Sequence, residues 1–411
     1  MNRILDISAK IFSIAAACMP LYGCGGGKTD GSVKETDGTV RQITENDVTE
    51  LDGTLSGCML ESWEPVFLDD SKEALIGNTN EVAYDDGRFF VYSSSSWDDA
   101  CIMVFDSTGH YLNRIGHHGN AAFEYSYLQM WFLDTKNRRV AIFDGNQNVI
   151  KYFDYDGKYC GKSSIGEDEA GMYRSCRLLC LSDSLLISQN YMSGEVADDF
   201  TVLSPDGRIS PLFERNGYKL ANEGRYGSPM AQFGSYVTDA AARDQWLMRP
   251  LDNHLYHVTD SNAVECVANL KFKDGIPEKV KMEFPIRYMG QYSEHFMNQL
   301  VNMRDFVLIW YSDGIVAYDK ESSQFFTVHN DDDNSSVRRV PDIWNNGCFG
   351  NTIIGIVDMT VAYHIISGDE SDEEENDAVY SEEVMDFYRK AAGRENPTLV
   401  LYHLKSPTAV R

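Results

Sequence analysis

The chain has 411 residues, 43% of them hydrophobic and 12% aromatic, and carries a formal charge of −27. That length supplies ample material for a large core, while the charge repels phosphate backbones and anionic lipid, which excludes nucleic acid and a bare lipid surface as partners. Acidity of this kind speaks to solubility and association, not to fold.

The N-terminus has the layout of an exported leader. Arg3 and Lys10 flank the start, Ile11 to Leu21 is a short apolar stretch of small residues, and the stretch is too short to span a bilayer as a helix. The order Leu21, Tyr22, Gly23, Cys24 resembles a lipoprotein lipobox, which implies cleavage before Cys24, acylation of that cysteine and a lipid-anchored address at the cell envelope, probing either the periplasm or the exterior. The segment GGGKTDGSVKETDGTVRQ (25–42) is polar and glycine-rich, as a flexible tether requires. The expected division is a leader over 1–23, a tether over 24–58 and a folded body over 59–411.

The body repeats. RFFVYSSSSWDDACIMVFDSTGHYLNRI (88–115) holds an apolar run, a polar gap, a second run ending in an acid, a tight turn and a more polar strand. The second run returns as VIKYFD (149–154), FTVLS (200–204), HLYHVTD (254–260) and GIVAYD (314–319). Measured at the residue before each turn, the offsets from Asp106 to Asp154, Ser204, Asp260 and Asp319 are 48, 50, 56 and 59, a spacing that suits propeller blades. Upstream of each lies another apolar segment (RFFVY, RVAIF, SLLIS, QWLM, FVLIW), and before that a first strand with a short acidic turn: NEVAY, LQMWFLD, RLLCL, SYVTDAA and NQLVN. Runs that are apolar on both faces suit inner strands covered by neighbouring sheets, and LNRI or GKSSI suit solvated edges.

Five four-stranded units are therefore expected, and a sixth assembles from TIIGIVD (352–358), VAYHIIS (361–367) and TLVLYHLK (398–405), with EPVFLD (64–69) as its edge. The predicted fold is all-β: a six-bladed β-propeller of four-stranded antiparallel blades, the last closed by an N-terminal strand, as edge protection demands. One helical insertion is expected in that last blade, after the acidic run GDESDEEEND (368–377). There Ser381 is placed to cap, Glu382 and Glu383 sit in the first turn, Arg389 and Lys390 in the last, and Tyr380, Val384, Phe387 and Ala391 fall at helical spacing.

This topology separates two faces. Turns between strands one and two and between three and four are short (DDG, STG, YDG, PDG), whereas the other connections are long and varied, so binding residues are expected on the second face. Trp97 with Asp98 and Asp99 is a pattern for stacking on a sugar and accepting its hydroxyls. Asn190 with Tyr191, Arg225 with Tyr226, and Arg249 are the other candidate ligand contacts. Adjacent His117 and His118 point to opposite sides of an extended segment, as do His254 and His257, so neither pair forms a metal site. DGNQN (144–148) lacks the glycine and glutamate of a helical calcium loop, and DDDN (331–334) reads as a hydrated turn.

No serine lies in GxSxG, no phosphate loop appears and no HExxH is present. Of nine cysteines, Cys18 falls in the leader and Cys24 is the acylation candidate; the other seven are irregularly spaced, which favours free thiols filling strand positions. No cofactor is expected. The expected role is a binding or interaction module for a glycan, a peptide or an envelope protein, and the alternative is a hydrolase or lyase with a metal-bound water in the central channel.

Taken together, IMVFDSTGHYLNRIGHHGNAAFEY (102–125), the lipobox and the closing NPTLVLYHLK (396–405) resemble the six-bladed β-propeller lipoproteins of gut Bacteroidales, a group similar to NHL-repeat propellers. The resemblance spans roughly residues 60–405. In place of that family's GxGPGEY loop only Gly119, Glu124 and Tyr125 match. The resemblance implies an exported propeller and leaves its ligand open.

Overall fold

A computed structural model describes residues 40–96, 99–165, 175–182, 185–190, 200–204, 207–213, 235–242, 244–249, 252–259, 263–272, 277, 297–311, 314–329, 337–367 and 379–410. They belong to one compact unit, Ser32–Arg411. Its fold is propeller-like and all-β, with four-stranded antiparallel blades and few helices.

Four sheets are complete blades. Sheet I joins Val82–Asp85, Arg88–Ser93, Cys101–Asp106 and Tyr111–Ile115; sheet II joins Leu128–Asp134, Arg139–Asp144, Val149–Asp154 and Tyr159–Ser164. Sheet III joins Ser175–Ser182, Leu185–Asn190, Phe200–Leu203 and Ile209–Pro211. The fourth, sheet VI, runs Gly347–Phe349, Thr352–Val357, Thr398–Leu404 and then Leu60–Phe67, so its outer strand comes from the other end of the chain. The expected closure is present, in the register Thr398 to Phe67 and Leu404 to Leu60.

Burial explains why the middle strands are so apolar. Phe89 and Val91 of sheet I pack with Leu399, Leu401 and Ile354 of sheet VI, while Phe90, Ile102 and Val104 pack with Trp131, Val140 and Ile142 of sheet II. Alternate side chains of one strand thus fill two different seams, and each fully buried Phe, Val or Leu contributes about 1.5–3 kcal/mol. Outer strands face water on one side, as Tyr159–Ser164 shows by alternating half-buried and exposed residues.

The turn between strands three and four is what made the repeat visible. Asp106 Oδ1 accepts the Thr108 and His110 N–H groups (2.8 and 3.0 Å), and Asp154 Oδ1 accepts those of Asp156 and Lys158 (3.1 and 2.8 Å). Ser204 begins the same backbone pattern, accepting the Gly207 N–H and donating to Arg208 O. Gly109 lies in the left-handed region (φ 89°), and a side-chain carbon there would be driven into the Phe67 carbonyl. The first of these turns nests on sheet VI: Gly109 O accepts the Asp69 N–H at 2.8 Å.

Four expectations are corrected. VAYHIIS is not a strand but lies in helix α1 (Met359–Ser367), where Asp358 Oδ1 caps the Val361 N–H at 2.8 Å and Val361, Ala362, Ile365 and Ile366 form one packed side. The inner strand of sheet VI is instead the short Gly347–Phe349. SYVTDAA does not pair with QWLM: Ser235–Thr238 runs parallel to Met297–Asn302 as the innermost strand of sheet V. The edge it vacates on Gln245–Met248 is met by a side chain, the Tyr236 hydroxyl, which donates to Met248 O and accepts the Met248 N–H. Finally, the tether does not extend to residue 58. Gln42–Ile43 adds in parallel to the outer edge of sheet IV (Gln245–Met248, His254–Val258, Val264–Leu270). Val48–Thr54 does the same on sheet V (Met297–Asn302, Phe306–Tyr311, Gly314–Asp319, Gln324–His329). Edge strands with unpaired peptide groups attract such cover, and buried Ile43, Leu51, Leu55 and Met59 hold it in place.

Helix α2 (Glu382–Ala392) forms where expected, with the Val384 N–H donating to Ser381 Oγ at 3.4 Å. Its buried face, Val384, Phe387, Tyr388 and Ala391, covers the core between sheets V and VI, and Phe387 meets Trp63 edge-on at 5.5 Å. Among the described residues no helix is long and apolar enough to cross a membrane.

Gly87 and Gly109 provide a paired test, because both have positive φ but only Gly109 is crowded. Gly87→Ala is expected to cost about 1 kcal/mol and Gly109→Ala about 3 kcal/mol or more, the second adding a steric clash to the backbone strain. Urea unfolding of the two variants beside the wild type checks the order.

Candidate functional site

Two regions answer to the sequence expectations. On the long-loop face, Asp99 closes its own loop: both the Ser95 and Ser96 N–H groups donate to Oδ1 at 2.8 Å, and Arg114 donates to its carbonyl at 3.2 Å. Burial works against its ionisation, but these amide bonds outweigh it and lower the carboxyl. Arg249 holds its guanidinium 4.8 Å over the Phe213 ring. Asn190 ends its strand, paired with Ser175. Trp97, Asp98, Tyr191, Arg225, Tyr226 and Cys24 lie outside the described residues, as does the side chain of Asn190.

The loop after sheet I shows what the three matching residues do. The Gly119 N–H donates to Tyr125 O (2.9 Å), the Ala121 N–H donates to Glu124 Oε2 (2.9 Å), and any side chain on Gly119 would collide with that carboxylate. Tyr125, 1% exposed, donates its hydroxyl to Ala100 O. Gly119, Glu124 and Tyr125 therefore each take part in the hydrogen bonds that close this loop. Lys151, 1% exposed, donates to Glu124 O and pairs with buried Asp144 at 3.5 Å.

The second region is the axis. A cavity of about 290 Å³ is walled by the innermost strands: Glu81, Val82 and Ala83 of sheet I, Leu128 to Leu133 of sheet II, Leu179 of sheet III, Val237 to Ala240 from the displaced strand, Gln245 of sheet IV, and Asn346 with Gly347 of sheet VI. Asn80, Tyr92, Gln129, Trp131 and Phe132 add amide and aromatic surface. Starts of inner strands (Asn80, Leu128, Asn346) face the long loops, and the Thr238–Ala242 turn lies toward the tight turns, where it meets three sheets. The Gly350 N–H donates to Asp239 Oδ2 (2.8 Å), the Asp239 N–H donates to Asn302 O (3.0 Å) and Thr135 Oγ1 donates to Ala240 O (3.3 Å). Neither Asp99 nor Arg249 lines this cavity.

Next to that turn lies a charged network. Asp244 Oδ2 accepts Trp246 Nε1–H at 2.9 Å and pairs with His257 Nε2 at 3.0 Å, and the His257 ring stacks on Trp246 with centroids 4.5 Å apart. Burial opposes ionisation of Asp244, yet the His257 bond, the Lys320 ammonium and the Trp246 N–H hold its carboxyl at about 2. Lys320 donates to Asn302 Oδ1 (2.8 Å) and Met303 O (2.7 Å), and burial lowers its ammonium against the pull of Asp244 and Asp239. His254 is held separately by Asp252, so the two histidines serve different carboxylates. Among the described residues no three His, Cys, Asp or Glu side chains come together as a metal site. Cys58, Cys101, Cys160, Cys266 and Cys348 form no disulfide; Cys58, Cys101 and Cys348 are buried and Cys160 is exposed.

Sequence reading missed the axial residues because it looked for chemistry in long loops. The available signal was polarity inside first strands: Glu81 before VAY, Gln129 within LQMWFLD and Thr238-Asp239 within SYVTDAA interrupt segments that should otherwise be apolar.

The family described as "Domain of unknown function (DUF4934)" matches residues 42–403. The chain belongs to this family. The match begins at the strand Gln42–Ile43, in agreement with a fold that starts before residue 59. Among solved structures the chain is similar to a protein of Bacteroides fragilis NCTC 9343 named for its inferred export, at 15% identity and a TM-score of 0.60, covering 87% of this chain and 98% of that one. A DUF4221 family member from Bacteroides vulgatus ATCC 8482 matches at 11% identity and a TM-score of 0.49, covering 84% and 97%. At 15% identity the likeness to the Bacteroides fragilis structure is one of fold. No curated protein matches the sequence.

The Asp244 network makes stability depend on acid. Because its folded carboxyl lies below the unfolded value of about 3.9, its contribution is complete above that pH and is lost as pH falls through about 2. Asp244→Asn is therefore expected to lower Tm at pH 5, with the gap to wild type closing toward pH 2. A melting series across that range reads it directly.

Proposed function

We propose that this protein is an exported, lipid-anchored, six-bladed β-propeller that binds a small polar ligand in its axial cavity. Six blades follow if sheets IV and V are taken as blades altered by the displaced strand Ser235–Thr238 and by added N-terminal strands. Export is supported by the leader-like start and by the exported assignment of the Bacteroides fragilis structural neighbour, and anchoring by the lipobox-like LYGC with its cysteine at residue 24.

One observation carries the binding reading. Among the described residues, the wall of the cavity contains Glu81, Asp239, amide side chains and aromatic rings but no Lys, Arg or His. A concave site with a few converging polar groups on an apolar ground is the usual form of a small-molecule site, and 290 Å³ lies near the lower end of the ~300–1,000 Å³ range for such sites. Uncharged or cationic ligands suit this lining; anions do not. Long loops at one end of the axis then act as the approach, and a glycan end or small envelope metabolite is the size of ligand that fits.

Two measurements test the proposal. A thermal-shift panel of neutral, cationic and anionic small molecules should raise Tm for at least one neutral or cationic compound, and Thr238→Phe, which fills the cavity from the displaced strand, should abolish that shift while leaving the unliganded Tm within a few degrees. Stabilisation that is unchanged in Thr238→Phe places the ligand elsewhere. For the anchor, Cys24→Ala should move the protein from the membrane pellet to the soluble fraction and remove incorporation of labelled palmitate; incorporation that persists overturns the anchor.

A further inference from the structure

Asp239 is the carboxylate at which the axial site departs from a merely polar pocket. It is 7% exposed, lines the cavity, and sits at the end of a strand that has left its own sheet to lie beside the axis. Its oxygens accept one N–H each, from Ala241 (2.9 Å) and Gly350 (2.8 Å), which leaves acceptor capacity on both. No ion pair forms to it among the described residues. Lys320 favours the Asp239 carboxylate through its field but donates to Asn302 and Met303, and Arg304 pairs with Asp305 at 3.1 Å. Asp85 adds a like charge to its surroundings. A carboxylate this buried is costly unless a cation meets it, and Glu81 supplies a second acid in the same wall.

A second, independent observation concerns Trp131. It is 9% exposed, forms part of the wall, and its indole Nε1–H is buried with no hydrogen-bond partner among the described residues. A buried donor left unpaired costs about 1–3 kcal/mol, which a small shift of the ring toward a ligand oxygen would relieve.

We propose that the axial cavity takes a small hydroxylated amine, of which an amino sugar is the representative, with its ammonium group on Asp239 and an oxygen toward Trp131. This rests on the binding role proposed above and names its ligand class. Burial raises the Asp239 carboxyl, and the ammonium favours its ionised form, so binding releases a proton and affinity rises with pH until the free carboxyl is fully ionised. Lys320, Arg304 and Asp85 are the charged groups facing Asp239, and they shift where that rise falls without changing its sign.

Three sugars of matched shape separate this proposal from the broader one. Isothermal titration of the full chain with glucosamine, glucose and N-acetylglucosamine should give glucosamine an affinity about tenfold or more above the other two, because only it carries an ammonium. Asp239→Asn should remove that preference, and Glu81→Gln should reduce it; circular dichroism melts confirm that each variant folds, and Glu81→Gln remains as the test should Asp239→Asn not fold. Glucose binding as tightly as glucosamine, or a preference that survives both substitutions, overturns the amine assignment while leaving a ligand-binding cavity. Failure of all three sugars, with another compound stabilising wild type but not Thr238→Phe, also overturns it and spares the broader reading.

Discussion

The two ends of the chain are locked together at sheet VI, and the rest of the fold depends on that lock. Thr398–Leu404 pairs along its length with Leu60–Phe67, and just before it Asn396, 1% exposed, reaches the segment that follows the paired N-terminal strand. Its Oδ1 accepts the Ile76 N–H (2.7 Å), its Nδ2 donates to Asp69 O (2.5 Å) and Ala74 O (2.8 Å), and its own N–H donates to Asp70 Oδ1 (3.0 Å). A buried amide with every group satisfied is worth far more to specificity than a surface pair, because any other arrangement leaves those groups unpaired. Pro65 is tolerated in the closing strand because that strand is an outer edge, where one face of the peptide ladder needs no donor.

Closure solves the edge problem at one seam and raises it elsewhere. The outer edges of sheets IV and V would expose unpaired peptide groups, and the stretch before Leu60 covers both in turn, first through Gln42–Ile43 and then through Val48–Thr54. Both additions are parallel, unlike the antiparallel strand that follows, because the chain travels along the rim in one direction before Leu55–Met59 turns it. The N-terminal segment is thus a belt on three consecutive sheets rather than a simple tether.

What could be read from the residues, and what could not, follows from where the physical signal is local. Turn chemistry is local: Asp106, Asp154 and Ser204 mark the same turn, so the repeat, the strand order inside sheets I to III and the capped helix at Ser381 were legible. Partner choice is not local. SYVTDAA has the right composition for a first strand, and nothing within it says that Tyr236 will cap Met248 with a hydroxyl while its backbone joins Met297–Asn302. VAYHIIS reads equally as strand or helix, since a short apolar run fits both periods, and Asp358 as cap decided it. The site was hidden for the same reason: Glu81, Gln129 and Asp239 are far apart in sequence and gain meaning only when the inner strands converge on one axis.

That convergence links the displaced strand Ser235–Thr238 to the chemistry proposed for the axis. A first strand kept in its own sheet would leave Asp239 in a tight turn at the rim of the axis, like Asp134, which is held by Arg139 at 2.5 Å and by Asn137. Shifted onto sheet V, the strand brings Asp239 against Gly350 and Asn302 and into the cavity wall, where among the described residues no arginine forms an ion pair with it. The displacement costs a hairpin ladder with Gln245–Met248, which Tyr236 restores only in part. Natural sheets rarely give up a local antiparallel ladder for a parallel pairing across a seam unless something is gained at the new position, and what changes here is the setting of one carboxylate. The irregular strand and the unpaired acid are, on this view, one feature seen from backbone and side chain.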